Sequence, residues 1–202
     1  MKRIVIASNN PGKLRELAAL LRPLGIEAIP QSQFNVSEAE EPHATFLENA
    51  LAKARHASLA TGLPALADDS GLCVPALGGA PGVESAHYAG REASREERDA
   101  RNNAKLLESM RYIDERAACY YCVLVLVRSP TDATPLVADG SWWGEIMSYS
   151  RGEGGFGYDP YFRTDQRGLS AAEMPEAEKN RLSHRGKALA ALAAKLAAER
   201  TT

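Results

Sequence analysis

The first run with the makings of chemistry is Ser8-Asn9-Asn10-Pro11-Gly12-Lys13. A short apolar stretch, residues 3–8, leads into turn residues at Asn9–Gly12, and Leu14, Leu17, Ala18 and Leu21 follow at helical spacing. A strand, a tight turn and a helix start together aim backbone N–H groups at an anion, and Lys13 adds a full positive charge. Side-chain donors on Ser8, Asn9 and Asn10 complete a loop suited to a phosphate. The Walker A spacing is absent, so this is not the phosphate loop of that class.

A second group is acidic: Glu38, Glu40 and Glu41, then Asp68 and Asp69. Mg²⁺ takes oxygen ligands and is commonly held by one or two carboxylates together with substrate phosphates. Asp68 and Asp69 are expected to end a strand, with Asp68–Gly71 turning the chain into a short strand at Leu72–Val74. Neighbouring strand residues face opposite ways, so one of the two carboxylates should enter a site. Asn49, Lys53 and His56 share one helix face over about residues 44–61, which reads as a solvated polar face ahead of a functional one.

Gly152-Glu153-Gly154-Gly155-Phe156-Gly157-Tyr158-Asp159-Pro160 is a third constellation. So much glycine is costly to order unless backbone must approach something closely. Phe156 set among glycines offers a flat face on which a base can stack, with Asp159 and the loop backbone available to base edges. Core packing of Phe156 is the competing reading. The last polar group is Glu178-Lys179 with Ser183-His184-Arg185 ahead of the final helix, where donors to a ring carbonyl or phosphate would be well placed.

These residues must be positioned by elements of both periods. Strands are expected at 3–8, 26–29, 72–74 and 117–127, with partners from 136–144 and 145–150. Helices are expected from Lys13, over 44–61 and 94–110, after a Ser170–Glu173 capping box, and from Ser183 to about Arg200. Alternating strands and helices indicate an α/β class with a mixed sheet. The chain has 202 residues, 45% hydrophobic and 25% charged, values of a globular protein with a real core. Its net charge of −2 argues against a general binder of polymeric nucleic acid. No signal-peptide core is visible and the longest apolar run, Ala117–Val127, is too short to span a bilayer. Three cysteines, an odd number, suggest reduced thiols in a cytoplasmic setting. Cys119 and Cys122 lie in a β-prone run where they point to opposite faces, which argues against a redox or zinc CxxC pair.

Taken in order, Ala7–Lys13, Thr45–Ala54, Ala67–Leu72 with Ala80-Pro81-Gly82, Gly154–Pro160 and Glu178–Arg185 resemble the inosine/xanthosine triphosphate pyrophosphatase family over almost the whole chain. The resemblance implies one domain over residues 1–202, an elongated mixed β-sheet flanked by helices in two lobes with a nucleotide-binding cleft between them. It implies a cytoplasmic homodimer that depends on Mg²⁺ and hydrolyses XTP, ITP and dITP to the monophosphate and pyrophosphate, cleansing the nucleotide pool. Ser8, Asn9, Asn10, Pro11, Gly12 and Lys13 match the triphosphate loop. Asp69 matches the general base and metal carboxylate, Glu41 a second metal ligand and Ser70 a substrate contact. Phe156, Gly157, Tyr158, Asp159, Lys179, His184 and Arg185 match the base-recognition groups. One departure is His87, in Ser85-Ala86-His87-Tyr88, where bacterial members commonly carry Arg; no role is carried over to it.

The implied mechanism is in-line attack of water on the α phosphorus, with Asp69 as base or water-orienting group. Two alternatives compete: a Maf-like pyrophosphatase of modified pyrimidine triphosphates, and a non-catalytic nucleotide-binding module.

Overall fold

The computed structural model describes residues 2–92, 94–164 and 168–199. The strands are β1 (Arg3–Ile6), β2 (Glu27–Pro30), β3 (Ala65–Cys73), β4 (Ala117–Val127), β5 (Leu136–Ile146) and β6 (Phe162–Thr164). The helices are α1 (Pro11–Leu21), α2 (Phe46–Thr61), α3 (Arg95–Ser109), α4 (Glu176–Leu182) and α5 (His184–Glu199). One sheet holds the strands in the order β2-β1-β3-β4-β5-β6. β1 runs parallel to β2 and β3, and β5 antiparallel to β6, so the sheet is mixed, as the alternation of elements indicated.

Local chemistry explains the helix boundaries. Pro11 occupies the first turn of α1, where its missing N–H costs nothing, and Asn10 caps that turn. Thr45 caps α2, and Gly62 closes it at φ +67, a left-handed value that glycine adopts without strain. Ser94 and Glu97 form a reciprocal capping box at the start of α3.

The described residues group into two compact units, one drawn from Met1–Asp69, Cys122–Gly140 and His184–Thr202 and the other from Ser70–Tyr121 and Ser141–Ser183. In the first unit, Ile4, Ile6, Leu17, Leu21, Leu66, Leu124, Leu126, Leu189 and Leu192 form a continuous aliphatic core. In the second, Leu72, Leu106 and Met110 pack with an aromatic trio. The Phe162 ring meets Tyr120 and Trp142 edge-on, at centroid distances of 4.7 and 5.2 Å, the geometry favoured by ring quadrupoles.

Four expectations from the sequence change. Asp68–Gly71 is not a turn: β3 continues unbroken to Cys73, and both carboxylates lie within it. Residues 136–146 form one strand rather than parts of two, with Trp142 inside and Trp143 outside at 55% exposure, as β alternation requires. The Ser170–Glu173 box makes its bonds, Ser170 N to Glu173 Oε2 and Glu173 N to Ser170 Oγ, but closes only a turn. Pro175 follows at once, and the helix starts after it, at Glu176. Finally, α1 begins at Pro11 rather than Lys13. Arg200, the expected end of the last helix, lies outside the described residues.

Gly71 shows how tightly the second unit closes around the end of β3. A Cβ there would fall 2.3 Å from the Gly82 carbonyl oxygen and 2.4 Å from Ser85 Oγ. Ser85 is a junction: its hydroxyl accepts from Leu72 N at 2.8 Å, and its carbonyl accepts from the Tyr158 hydroxyl at 2.8 Å. Gly71→Ala is therefore expected to destabilise the protein by about 1–3 kcal/mol, the usual cost of overpacking, read as a lower urea midpoint at unchanged m-value.

Candidate functional site

In the first unit, β alternation sends Asp68 and Asp69 to different partners. Asp68 meets Lys13 Nζ at 3.1 Å and Arg185 Nε at 3.2 Å. Arg185 also donates to Glu16, so a carboxylate from α1, a guanidinium from α5 and a carboxylate from β3 form one chain of charges. The Asp68 side chain is fully buried and that of Arg185 is 3% exposed. Burial pushes the Asp68 carboxyl up, but Lys13, Arg185 and Lys53 outweigh it and hold it well below the usual carboxylate range.

Asp69 faces Lys53, whose Nζ lies 2.8 Å from Oδ1. The same ammonium lies 3.2 Å from Glu41 Oε1. Asp69 Oδ2 is buried and has no hydrogen-bond partner. Burial pushes the Asp69 carboxyl above the usual range, by more than Lys53 and Lys13 pull it down. Burial also opposes charge on Lys53, but Asp69, Asp68 and Glu41 outweigh it and the net shift is upward.

The helix face read from the sequence explains how Glu41 comes to this place. Asn49 Oδ1 accepts from His43 N at 3.0 Å, and Asn49 Nδ2 donates to the His43 carbonyl at 3.2 Å. His56 Nε2 lies 3.0 Å from the Ser37 carbonyl. Asn49 and His56 thus anchor both sides of the acidic segment against α2, and Lys53 holds Glu41 between them.

The Ser8–Lys13 loop is bonded within itself, which corrects the expectation of open donors at the helix start. Asn10 Oδ1 accepts from Gly12 N at 2.9 Å and Lys13 N at 3.3 Å, and Ser8 Oγ accepts from Asn10 N at 3.2 Å. Asn9 bridges Glu38 and Gln31. Lys13 Nζ therefore remains the principal positive group that the loop itself presents.

The donor set suits a hard divalent cation. Asp69 offers a buried oxygen without a partner, and Glu41, 41% exposed, reaches the same ammonium. Among the described residues no group of three or more His, Cys, Asp or Glu forms a ready cage.

In the second unit, Phe156 is half-buried, with Arg95 Cζ 5.1 Å and Lys179 Nζ 5.0 Å from its ring centroid. Asp159 is buried and committed: it accepts from Phe156 N at 2.8 Å and from Lys179 Nζ at 2.6 Å. It therefore braces the loop instead of presenting acceptors outward. A Cβ at Gly155 would fall 2.2 Å from Asp159 Oδ2, which explains that glycine at φ +74. The Gly157 peptide is held on both sides, its N–H by Asp99 at 3.0 Å and its carbonyl by Asn103 Nδ2 at 2.9 Å. Tyr158 is a core residue that donates to the Ser85 carbonyl, so its side chain serves packing.

The expected base-recognition groups thus fall into different units. Phe156, Gly157, Tyr158, Asp159 and Lys179 lie in the second, with half-buried Ser70, whereas His184 and Arg185 lie in the first. Arg185 is committed to Asp68 and Glu16, and His184 is buried at the first position of α5. Groups outside the expected site set are Lys53, Glu16, Asp68, Asp99 and Asn103. Of these, Lys53 carried a signal through its place on the Asn49–His56 face, and Asp68 through its place in the acidic group. Burial pushes the Cys122 thiol up to about 12, so Cys122 carries no reactive thiolate.

Comparison with known proteins places this geometry. A family model described as the Ham1 family matches residues 4–195. The chain is 63% identical over 194 residues to a Burkholderia pseudomallei protein named dITP/XTP pyrophosphatase, covering 96% of this chain and 93% of that one. It is 62% identical over 196 residues to a Chromobacterium violaceum protein of the same name, with coverage of 97% and 98%. A solved HAM1 protein from Coxiella burnetii matches with a TM-score of 0.89 and 48% identity, over 98% of this chain and 99% of that one.

Proposed function

The chain belongs to the Ham1 family, and from that membership we propose that it hydrolyses deaminated purine nucleoside triphosphates, XTP, ITP and dITP, to the monophosphate and pyrophosphate. The observation that carries this reading is Asp69: a carboxylate in a strand, paired through Oδ1 with Lys53 beside Glu41, and with Oδ2 buried and unpartnered. Most buried carboxylate oxygens have a hydrogen-bond partner, so Asp69 Oδ2 beside Glu41 is a place where a ligand such as a metal ion would be welcome. The names of relatives more than 60% identical over nearly the full chain support the substrate class.

In this reading Lys13 and the Ser8–Gly12 loop hold the phosphates. Asp69 and Glu41 would hold Mg²⁺, which would supply charge neutralisation at the phosphates and acidity to water. Asp69 orients the attacking water toward the α phosphorus. Phe156 stacks on the base, and Lys179 donates to the 6-keto oxygen that adenine lacks. Asp159 positions both, through the Phe156 N–H and the Lys179 ammonium. The protein works as a cytoplasmic homodimer on free nucleotides, and exposed Trp143 is a candidate interface group.

Phe156→Ala is expected to lower kcat/KM for ITP by about 5- to 150-fold, the range that base–aromatic stacking supports. Steady-state kinetics with ITP checks it. The reading as a whole is tested by incubating the protein with ITP, dITP, XTP, GTP and ATP, with and without Mg²⁺, and detecting pyrophosphate. Pyrophosphate from the first three, only with metal, is expected. Equal release from ATP, or binding without turnover, would contradict the reading.

A further inference from the structure

We propose that Lys53 is a built-in cation that holds the electrostatic place of the metal between Asp69 and Glu41, and that a divalent cation binds by displacing it. The inference rests on the reading that Asp69 and Glu41 hold the metal. It goes further in giving the protein its own competitor for that site.

Lys53 Nζ lies 2.8 Å from Asp69 Oδ1 and 3.2 Å from Glu41 Oε1, so one ammonium bridges the two carboxylates. Its side chain is 11% exposed, and an ammonium that buried needs anionic partners to stay charged. Asp68 does not need Lys53 as its direct partner, because Lys13 and Arg185 already contact it. Lys53 is thus directed to the two groups that would otherwise repel each other. Asp69 Oδ2 stays unpartnered while Oδ1 is taken, which leaves one oxygen open to an incoming ion. A lysine suits displacement, because its charge is a compact point on a flexible four-carbon stem and can swing away without moving α2. Anchoring by Asn49 and His56 keeps the acidic segment in place when the bridge opens.

This arrangement makes metal binding weak by itself and strong once phosphates supply further ligands and accept the released ammonium. Lys53 is then a positioning residue whose removal has an unusual sign: the metal should bind more tightly, although turnover falls. A lysine that merely supported the fold, or one that helped to orient metal ligands, would give the opposite or no change.

The test measures Mn²⁺ binding to the full chain, followed by loss of the free-ion electron paramagnetic resonance signal, and melting temperature in chelator and in Mn²⁺. Lys53→Met should bind Mn²⁺ on the order of tenfold more tightly than the wild type, having lost a positive charge beside the ion. It should also melt lower in chelator and gain more on adding Mn²⁺. Lys53→Arg, which keeps the charge, should retain wild-type affinity. Lys53→Gln should move in the direction of the methionine variant, and it replaces that variant if the latter does not fold. Binding that is equal or weaker in the neutral variants, with the wild type binding Mn²⁺, would overturn the inference and leave the metal reading standing. Absence of Mn²⁺ binding in wild type and variants alike would overturn the metal reading itself, and the inference with it.

Discussion

Asp69→Asn is expected to lower kcat at least about a thousandfold while the protein remains folded. That factor corresponds to about 4 kcal/mol of transition-state stabilisation. Positioned acid–base groups alone contribute roughly 10²–10⁴-fold, and weakened metal binding adds to the loss. The amide keeps the shape of the side chain and changes its charge. Lys13 and the phosphate loop are untouched, so KM should move far less than kcat. A circular dichroism spectrum like the wild type with turnover within tenfold of normal would remove Asp69 from the mechanism.

Its neighbour should behave in the opposite way. Asp68→Ala is expected to destabilise the protein by about 3–5 kcal/mol, the cost of breaking a buried ion pair from one side. It deprives Arg185, at 3% exposure, and Lys13, at 17%, of a carboxylate they both contact. Urea unfolding measures it, and a loss below about 1 kcal/mol would contradict the role given to Asp68. The sign of its pH dependence follows. Burial raises the Asp68 carboxyl, but Lys13 and Arg185 outweigh burial and depress it in the folded state. Its contribution is therefore present above the unfolded value of about 3.9 and is lost as pH falls through the folded value. The variant should accordingly show a shallower fall in stability than the wild type below about pH 4.

The pair shows how far the sequence could be read. Alternation along a strand was enough to say that adjacent aspartates part company. Where the strand ended was not legible, because Asp-Asp-Ser-Gly carries turn chemistry and only tertiary burial makes it β3. The helices near 44–61 and 94–110 were legible from their spacing, though the caps at Thr45 and Ser94 that start them were not singled out, and the mixed α/β class follows from alternating periodicity. Long-range pairing left no mark. Arg185 lies 117 residues from Asp68 and 169 from Glu16, and nothing at the start of α5 signals either contact. Lys53 stood out only as part of a polar helix face, and its partner Asp69, 16 residues along the chain, was chosen by folding. The capping role of Asn10 shows the converse failure. Its side chain was counted only as a donor for a ligand, whereas its oxygen also closes its own helix.

Asp159 carries the same lesson in the second unit. An aspartate in a glycine-rich loop reads as a contact for a base edge. In the fold it ties the Phe156 peptide to Lys179, and the glycine beside it is small because the carboxylate occupies that space.

Diphosphate release by water attack at the α phosphorus can be read from where the solvent oxygen goes. ITP is hydrolysed in heavy-oxygen water with Mg²⁺, and the products are identified and weighed by mass spectrometry. IMP carrying one heavy oxygen and unlabelled pyrophosphate are the expected products. IDP with free phosphate, or label found in the pyrophosphate, would contradict attack at the α phosphorus.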